Sequence, residues 1–166
     1  DDGKFRKVRA AYPAYIARLL GLGGFGGTPE QGQAVFAIER RLAELHWPAE
    51  ENRDMKKLYN MVPVAELAAV APGFAWPQYL EAAGLGTRPA LMAAQLSYVE
   101  QIGAIVGEFP LAAWQDYLRY HALNEAAPWL AGEFEQANFE FMQREVLGRL
   151  LARADGSPQR FYSLSA

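Results

Sequence analysis

Cysteine is missing from this sequence of 166 residues. Its absence excludes disulfide bonds, thiolate catalysis and zinc sites built on cysteine, but it does not indicate a cellular compartment. Histidine is almost as scarce, with only His46 and His121 present. A metal site with three histidine ligands therefore cannot be assembled from this chain alone.

An excess of basic charge is missing as well. Lysine and arginine together number 16 against 19 aspartates and glutamates, so the formal net charge is −3. Because nucleic-acid binding needs a positively charged surface, we expect no nucleic-acid partner. The sequence also lacks an uncharged apolar run of roughly 18 residues, so we expect no membrane span in this chain.

Patterns typical of β-strands are rare, whereas patterns typical of helices recur along the chain. Hydrophobic residues make up 51% and charged residues 21%, as in a packed globular protein. Alanine is the commonest residue, and the repeated spacing of apolar positions favours amphipathic helices. We therefore predict an all-α fold, an irregular single domain over residues 1–166 with about seven or eight helices and no sheet of note.

Several boundaries follow from proline and from capping residues. Residues 28–31 (Thr-Pro-Glu-Gln) predict a helix start with a capping box, and Ser97 with Glu100 predicts a second one. Pro13 lies inside the first apolar pattern, where we expect a kink or a helix start. Only residues 87–96 have an extended pattern.

A glycine-rich stretch separates the first two predicted helices. Residues 21–26 (Gly-Leu-Gly-Gly-Phe-Gly) fit the dinucleotide-binding pattern G-x-G-x-x-G, but that motif needs a preceding strand, and here an amphipathic helix precedes it. The overlapping Walker A pattern lacks its lysine, because Gly27 stands at that position. We predict an interhelical loop. Nucleotide binding is kept as a third possibility, for which we expect no thermal stabilisation by nucleotide.

Candidate catalytic residues have little support. His121 and Glu125 are separated by one helical turn, but two ligands do not make a zinc site. The last predicted helix, residues 133–153, carries carboxylates that could form an acid–base pair, although such a pattern is also typical of a solvated helix face. These carboxylates are Glu133, Glu135, Glu140 and Glu145. We predict no catalytic residue and no metal ligand in this chain.

The first half of the chain carries a more specific pattern. Residues 43–47 read Ala-Glu-Leu-His-Trp, and residues 52–60 read Asn-Arg-Asp-Met-Lys-Lys-Leu-Tyr-Asn. This resembles the signature "LA…HW…xRDxxKxYN" of the neprilysin family of zinc metallopeptidases, which includes endothelin-converting enzymes and bacterial oligopeptidases. Residues 72–76 (Pro-Gly-Phe-Ala-Trp) agree in order, and Arg160-Phe161 stands where the family usually has Arg-Trp. The resemblance covers nearly the whole chain.

This resemblance implies an architecture and a role. The chain would be the non-catalytic helical lobe of a zinc endopeptidase, facing the catalytic lobe of the same polypeptide across a chamber that admits oligopeptides. The family holds zinc through motifs further downstream, and H-E-x-x-H does not occur in this sequence. The resemblance therefore implies zinc in the parent enzyme but neither cofactor nor activity in this chain alone. It also implies a parent that is exported, as a periplasmic, extracellular or membrane-anchored enzyme.

The residues of the signature have a predicted scaffold role. They are Asn52, Arg53, Asp54, Tyr59 and Asn60. Asp54 is a good N-cap for the turn that follows it, and Arg53 can form charge-assisted hydrogen bonds. We expect Tyr59 to bury its ring while its hydroxyl group finds a partner.

An alternative hypothesis is a stand-alone helical module that binds a protein or a peptide without enzymatic activity. The two hypotheses predict different surfaces. A lobe without its partner lobe should expose an apolar patch, whereas an independent module should not. The sequence begins with Asp1 rather than methionine, and we expect that it was processed or cut from something longer.

Overall fold

The computed structural model describes residues 2–130 and 132–146 of the chain. Eight α-helices occur within these residues, which confirms the predicted all-α fold. They are α1 (Asp2–Leu22), α2 (Pro29–Ala43), α3 (Met55–Leu58), α4 (Leu67–Val70), α5 (Trp76–Ala82), α6 (Leu96–Glu108), α7 (Leu111–Ala126) and α8 (Gly132–Asn138).

Shorter helical segments extend or connect these helices. Three 3-10 turns occupy Glu51–Arg53, Val64–Glu66 and Ala127–Trp129, and a π-helix at Phe139–Val146 follows α8 directly. The single helix predicted for residues 133–153 is thus divided into α8 and a π-helical segment as far as residue 146. Its remainder, together with Arg160-Phe161, lies outside the described residues.

A small antiparallel ribbon is the only sheet in the described part of the chain. Strand β1 (Met61–Pro63) pairs with strand β2 (Ala90–Met92), with Met61 opposite Met92 and Pro63 opposite Ala90. The extended pattern predicted for residues 87–96 is confirmed for Ala90–Met92, which form β2, whereas Leu96 already belongs to α6. No sequence pattern predicts β1, because a strand of three residues is too short to establish an alternating pattern.

The first of two compact units is built from residues within Asp1–Ala37 and Ala112–Ala166. Its core contains stacked aromatic rings. The rings of Tyr15 and Phe141 lie nearly parallel with centroids 4.4 Å apart, and Tyr12 stacks on the same Phe141 ring at 5.4 Å. Helix α1 provides both tyrosines and continues through Pro13, so no helix starts there.

Two asparagines bind the buried hydroxyl group of Tyr15. The hydroxyl group donates to Asn124 Oδ1 at 2.6 Å and accepts a hydrogen bond from Asn138 Nδ2 at 3.0 Å. Burial of the ring raises the pKa of Tyr15 above its ordinary value, because the phenolate is poorly solvated there. The polar atom is therefore accommodated inside an otherwise apolar core.

The second compact unit is formed by Ile38–Leu111 and has an aliphatic core. One cluster of buried apolar side chains in this unit contains Val62, Leu67, Leu80 and Ala93. Val62 is the central residue of β1, so the pleat of the strand places Met61 and Pro63 on the opposite, exposed face. The ribbon therefore covers the core with one face and presents the other to solvent.

No helix among the described residues has both the length and the apolar character needed to cross a membrane.

Candidate functional site

The signature segment, residues 43–60, leads from the end of α2 to the start of β1. In its middle, Asp54 Oδ1 accepts hydrogen bonds from the backbone N–H groups of Lys56 at 3.0 Å and Lys57 at 3.3 Å. These N–H groups have no partner inside α3, because the helix has only four residues. The predicted N-cap at Asp54 is confirmed.

Gln95, in the turn between β2 and α6, binds this segment with both ends of its side-chain amide. Its Oε1 accepts from the backbone N–H of Trp47 at 3.0 Å and lies 3.2 Å from Nδ1 of His46. Its Nε2 donates to Asn52 Oδ1 at 2.9 Å, and Asn52 Nδ2 donates to the carbonyl oxygen of Trp47 at 3.2 Å. A closed set of hydrogen bonds thus fixes the turn after α2.

Helix α6 makes two further contacts with the signature segment. Trp47 Nε1 donates to Ser97 Oγ at 2.7 Å, and the His46 ring stacks on Tyr98 with centroids 4.5 Å apart. Burial raises the pKa of Tyr98. The capping box predicted at Ser97 is wrong, because α6 begins one residue earlier without a side-chain cap. The Ser97 hydroxyl group instead accepts the indole hydrogen bond.

Asn60 fastens the end of the signature segment to the ribbon. Its Nδ2 donates to the carbonyl oxygens of Lys57 at 2.6 Å and Ala93 at 3.1 Å. Its own carbonyl oxygen accepts from the N–H of Ala93 at 2.8 Å. Three signature residues, Asn52, Asp54 and Asn60, therefore make local hydrogen bonds of the kind that a scaffold needs. Their role in function stays a prediction.

The other two signature residues are exposed. The side chain of Arg53 faces solvent, and Tyr59 is 68% exposed. The expected burial of the Tyr59 ring is therefore wrong for this chain. Tyr59 lies between the last residue of α3 and the first residue of β1, outside the group of side chains that pack in the core of this unit.

Exposed methionines accompany Tyr59. Met55, Met61 and Met92 are 74%, 50% and 58% exposed, and they are three of the four methionines in the sequence. Met61 and Met92 are cross-strand partners, so their side chains lie together on one face of the ribbon. We call Met55, Tyr59, Met61 and Met92 the methionine surface. Two of these exposed side chains, Met61 and Met92, are neighbours, and exposed apolar side chains that lie together are typical of a surface that contacts another molecule or domain.

Neither histidine lies in a metal site within the described residues. His46 is held by Gln95, as described above. His121 lies on α7 with its ring centroid 4.4 Å from that of Tyr117 and 5.1 Å from that of Tyr120. No group of three histidine, aspartate or glutamate side chains in the described part of the chain is arranged to hold a metal ion.

One of the candidate carboxylates, Glu140, has local partners. Glu140 forms an ion pair with Arg18 through Oε2 and accepts a hydrogen bond from Gln136 Nε2 at 3.0 Å through Oε1. Glu133 and Glu135 lie in the first turn of α8. The side chain of Glu145 is outside the described residues. The contacts of Glu140 are those of a structural carboxylate.

The glycine-rich stretch ends α1 in a Schellman motif. The N–H of Phe25 donates to the carbonyl oxygen of Leu20 at 2.8 Å, and the N–H of Gly24 donates to that of Gly21 at 3.0 Å. Gly24 has a φ of +77°, the left-handed conformation that this motif requires and that glycine adopts without strain. The predicted interhelical loop is confirmed.

Gln31 binds the backbone groups that follow in the same loop. Its Oε1 accepts from the N–H groups of Gly27 at 2.8 Å and Thr28 at 3.0 Å, and its own N–H donates to Thr28 Oγ1 at 3.3 Å. Its Nε2 donates to the buried Asp116 at 2.8 Å. The predicted capping box is confirmed. These N–H groups are occupied by a side chain of the chain itself, which argues against a phosphate cradle.

Comparison with known protein families accounts for nearly the whole chain. The N-terminal model of peptidase family M13 matches residues 1–158. The chain belongs to peptidase family M13. This assignment confirms the resemblance to the neprilysin family of metallopeptidases that the signature segment carries.

Curated relatives of this M13 chain are much longer than the chain. Endothelin-converting enzyme 1 of Rattus norvegicus is 24% identical over 136 residues, which are 80% of this chain and 18% of that protein. Endothelin-converting enzyme-like 1 of the same species is 24% identical over 153 residues, or 89% of this chain and 20% of that protein. The chain spans about a fifth of the length of these relatives.

Solved structures of a metalloprotease contain the same fold. The zinc metalloprotease Zmp1 of Mycobacterium tuberculosis in its open state aligns with 88% of this M13 chain, with a TM-score of 0.80 and 29% identity. Zmp1 in complex with an inhibitor aligns with 95% of the chain, with a TM-score of 0.76 and 28% identity. The aligned regions cover 23% and 24% of the Zmp1 chains.

Proposed function

We propose that this chain forms the non-catalytic helical lobe of an M13 zinc endopeptidase and supplies one wall of the chamber that receives oligopeptides. One observation carries the proposal. Residues 1–158 match the N-terminal model of the family, while the sequence holds only two histidines and no H-E-x-x-H motif. A catalytic zinc site needs three protein ligands, and no group of three such side chains within the described residues is placed to hold a metal ion. We therefore assign the metal to the catalytic lobe of the same polypeptide.

The exposed surface supports a lobe rather than a stand-alone module. Within the methionine surface, Tyr59 is 68% exposed and Met55 is 74% exposed. An isolated domain has little reason to leave such side chains in water, whereas a lobe that faces a second lobe or a bound peptide can use them. We place the methionine surface on the side that faces the chamber. The stand-alone binding module remains the second candidate.

The hydrogen bonds of the signature segment would make this wall of the chamber rigid. Gln95 and Asn52 fix the turn after α2, and Asn60 fixes the approach to β1. A wall that restricts access by size must resist deformation, and side-chain bonds to backbone groups provide that resistance where the secondary structure elements are short. For the parent enzyme we propose export to the periplasm, the exterior or a membrane-anchored position.

Zinc content and peptide cleavage of the purified 166-residue chain test this proposal. We expect a folded helical protein that binds zinc at well below one equivalent and leaves a fluorogenic oligopeptide intact. The variants His46→Gln and His121→Gln serve as matched controls, because either would lose metal held by the chain's own imidazoles. Stoichiometric zinc together with cleavage, both lost in one of these variants, would overturn the proposal.

A further inference from the structure

The outer edge of β2 has free backbone groups in a specific arrangement. The N–H of Ala93 donates to the carbonyl oxygen of Asn60 at 2.8 Å, and the N–H of Val64 donates to that of Pro89 at 3.0 Å. Hydrogen-bonded and non-hydrogen-bonded residue pairs alternate along an antiparallel ladder. Since the pairs two positions away on either side are joined by these two bonds, Val62 and Leu91 also form a hydrogen-bonded pair. The backbone groups of the flanking pairs, Met61 with Met92 and Pro63 with Ala90, then point away from the ribbon.

The two outer edges of the ribbon differ in what they offer. On β1, Pro63 has no N–H, and proline at an edge is a common means by which proteins prevent further strand pairing. On β2, Ala90 and Met92 each direct one N–H and one carbonyl group outward. The structure gives these groups no hydrogen-bond partner among the described residues. β2 is therefore the edge that can accept another strand.

We propose that the outer edge of β2 binds an extended peptide substrate by antiparallel strand addition, with Ala90 and Met92 as the hydrogen-bonding residues. This inference rests on the proposed function, because it takes peptides in the chamber as the ligand. Backbone pairing recognises any extended segment without proline at the paired positions, so it suits an enzyme that receives peptides of varied sequence.

The methionine surface is consistent with a peptide ligand whose sequence varies. A peptide residue opposite Met92 places its side chain on the same face as Met92 and Met61. Methionine is unbranched and flexible, and proteins that bind many different peptides use it for this reason. The peptide side chain at that position should therefore be apolar, with little further selection.

Because the edge is short, it is better suited to a ligand that binds reversibly than to a permanent partner. With only Ala90 and Met92 facing outward, the edge offers two donors and two acceptors. Each such hydrogen bond adds little net free energy in water, so binding should be weak and reversible. A product peptide must dissociate in every catalytic cycle, and an edge of this length permits it.

Amide NMR titration of the 166-residue chain tests the inference. The probe is a capped six-residue peptide of alternating valine and serine. We expect the largest shifts at the amides of Ala90 and Met92. Methylating the valine amide nitrogens should abolish binding, because valines opposite Met92 would direct their N–H groups toward β2. Methylating the serine amide nitrogens should leave binding within about twofold, because these N–H groups point away.

Two variants at one position separate the backbone from the side chain. Met92→Pro removes the outward N–H without removing a bond of the ribbon, and we expect a loss of affinity of at least about tenfold. Met92→Ala keeps that N–H and should lose only about two- to threefold. Circular dichroism checks that both variants remain folded. If Met92→Pro does not fold, the comparison of the two methylated peptides still tests the inference.

Three outcomes would overturn the inference. They are equal binding of the two methylated peptides, shifts centred outside the ribbon, and concentration-dependent dimerisation through β2 without peptide binding. The last outcome would identify a second copy of the chain as the occupant of the edge. None of them bears on the zinc and cleavage assays, so failure of this inference is distinguishable from failure of the proposed function.

Discussion

The two compact units share one type of packing contact and differ in most other respects. In each unit a buried helical glycine packs against a proline carbonyl oxygen: Gly32 against Pro13 in the first and Gly103 against Pro72 in the second. In both cases an added Cβ would overlap the oxygen. The close approach of two backbone segments is thus a common requirement, whatever fills the rest of the core.

The difference lies in what joins the elements of each unit. The first unit relies on long helices and on stacked rings such as Tyr15 and Phe141. The second unit has one long helix, α6, three short helices and a ribbon of two strands, and the side chains of Gln95, Asn52 and Asn60 join several of these elements. Large apolar side chains are exposed in both units, such as Trp129 by 77% in the first and Met55 by 74% in the second. The methionine surface belongs to the second unit.

The largest expected effect comes from the two packed glycines. Gly32→Ala and Gly103→Ala should each destabilise the protein by about 3 kcal/mol, because a backbone carbonyl oxygen cannot move aside as a side chain can. Urea unfolding monitored by circular dichroism measures the change. Gly107→Ala is the matched control on α6, since a Cβ there meets no atom within 4 Å. It should stabilise by about 0.5–1 kcal/mol.

These three variants test whether both units depend on close backbone approach. A neutral Gly103→Ala beside a damaging Gly32→Ala would show that the second unit tolerates separation of its segments. The close packing of a glycine against a proline carbonyl oxygen would then be required in the first unit alone.

A smaller effect is expected from Gln95→Ala, which removes the amide that binds the turn after α2. We expect a loss of about 1–2 kcal/mol, because the Trp47 N–H and the Asn52 side chain lose their partner. Hydrogen exchange should accelerate for residues 46–60 and remain unchanged in α1. Gln101→Ala is the control, since the partner of Gln101 among the described residues is the carbonyl oxygen of Ser97 in its own helix. Equal acceleration in both units would contradict the proposed difference between them.

The smallest effect is expected from Glu108→Gln on the surface of the second unit. Arg41 donates to both carboxylate oxygens of Glu108, at 2.8 and 3.0 Å, and these hydrogen bonds lower the pKa of Glu108 from its ordinary value of 4.5. A lowered pKa in the folded state means that the contact stabilises above pH 4.5 and is lost as the pH falls through the folded-state pKa.

The melting temperatures of the wild type and Glu108→Gln should therefore differ slightly at neutral pH and converge in acid. Glu44→Gln is the control, because its contacts with Arg41 and Arg40 are 4.0 and 3.7 Å long and should matter less. A difference that persists unchanged below the folded-state pKa of Glu108 would contradict the assignment to this ion pair.

Sequence reasoning was most accurate where a few consecutive residues decide the outcome. The capping box at residues 28–31 and the N-cap at Asp54 were both predicted, because each depends on a side chain reaching a backbone group two or three residues away. The capping box at Ser97 was wrong for the opposite reason. Trp47, 50 residues away in sequence, takes its hydroxyl group.

The candidate site was predicted only in part. Composition excluded zinc sites built on cysteine or on three histidines, the H-E-x-x-H motif was absent, and the signature segment pointed to the family. The role of Gln95 could not be foreseen, because a lone glutamine has no pattern and its partners lie 43 and 48 residues away. The exposure of Tyr59 was missed because burial depends on which elements cover a residue.

The sequence by itself determined the helical character of this protein, its helix caps and its membership of a peptidase family, because propensity, capping and signature residues act over short stretches of chain. Only the tertiary structure decided that Met61 and Met92 lie side by side and that no described residue pairs with the outer edge of β2. Both depend on strand register, which is fixed when distant segments pair around a common core.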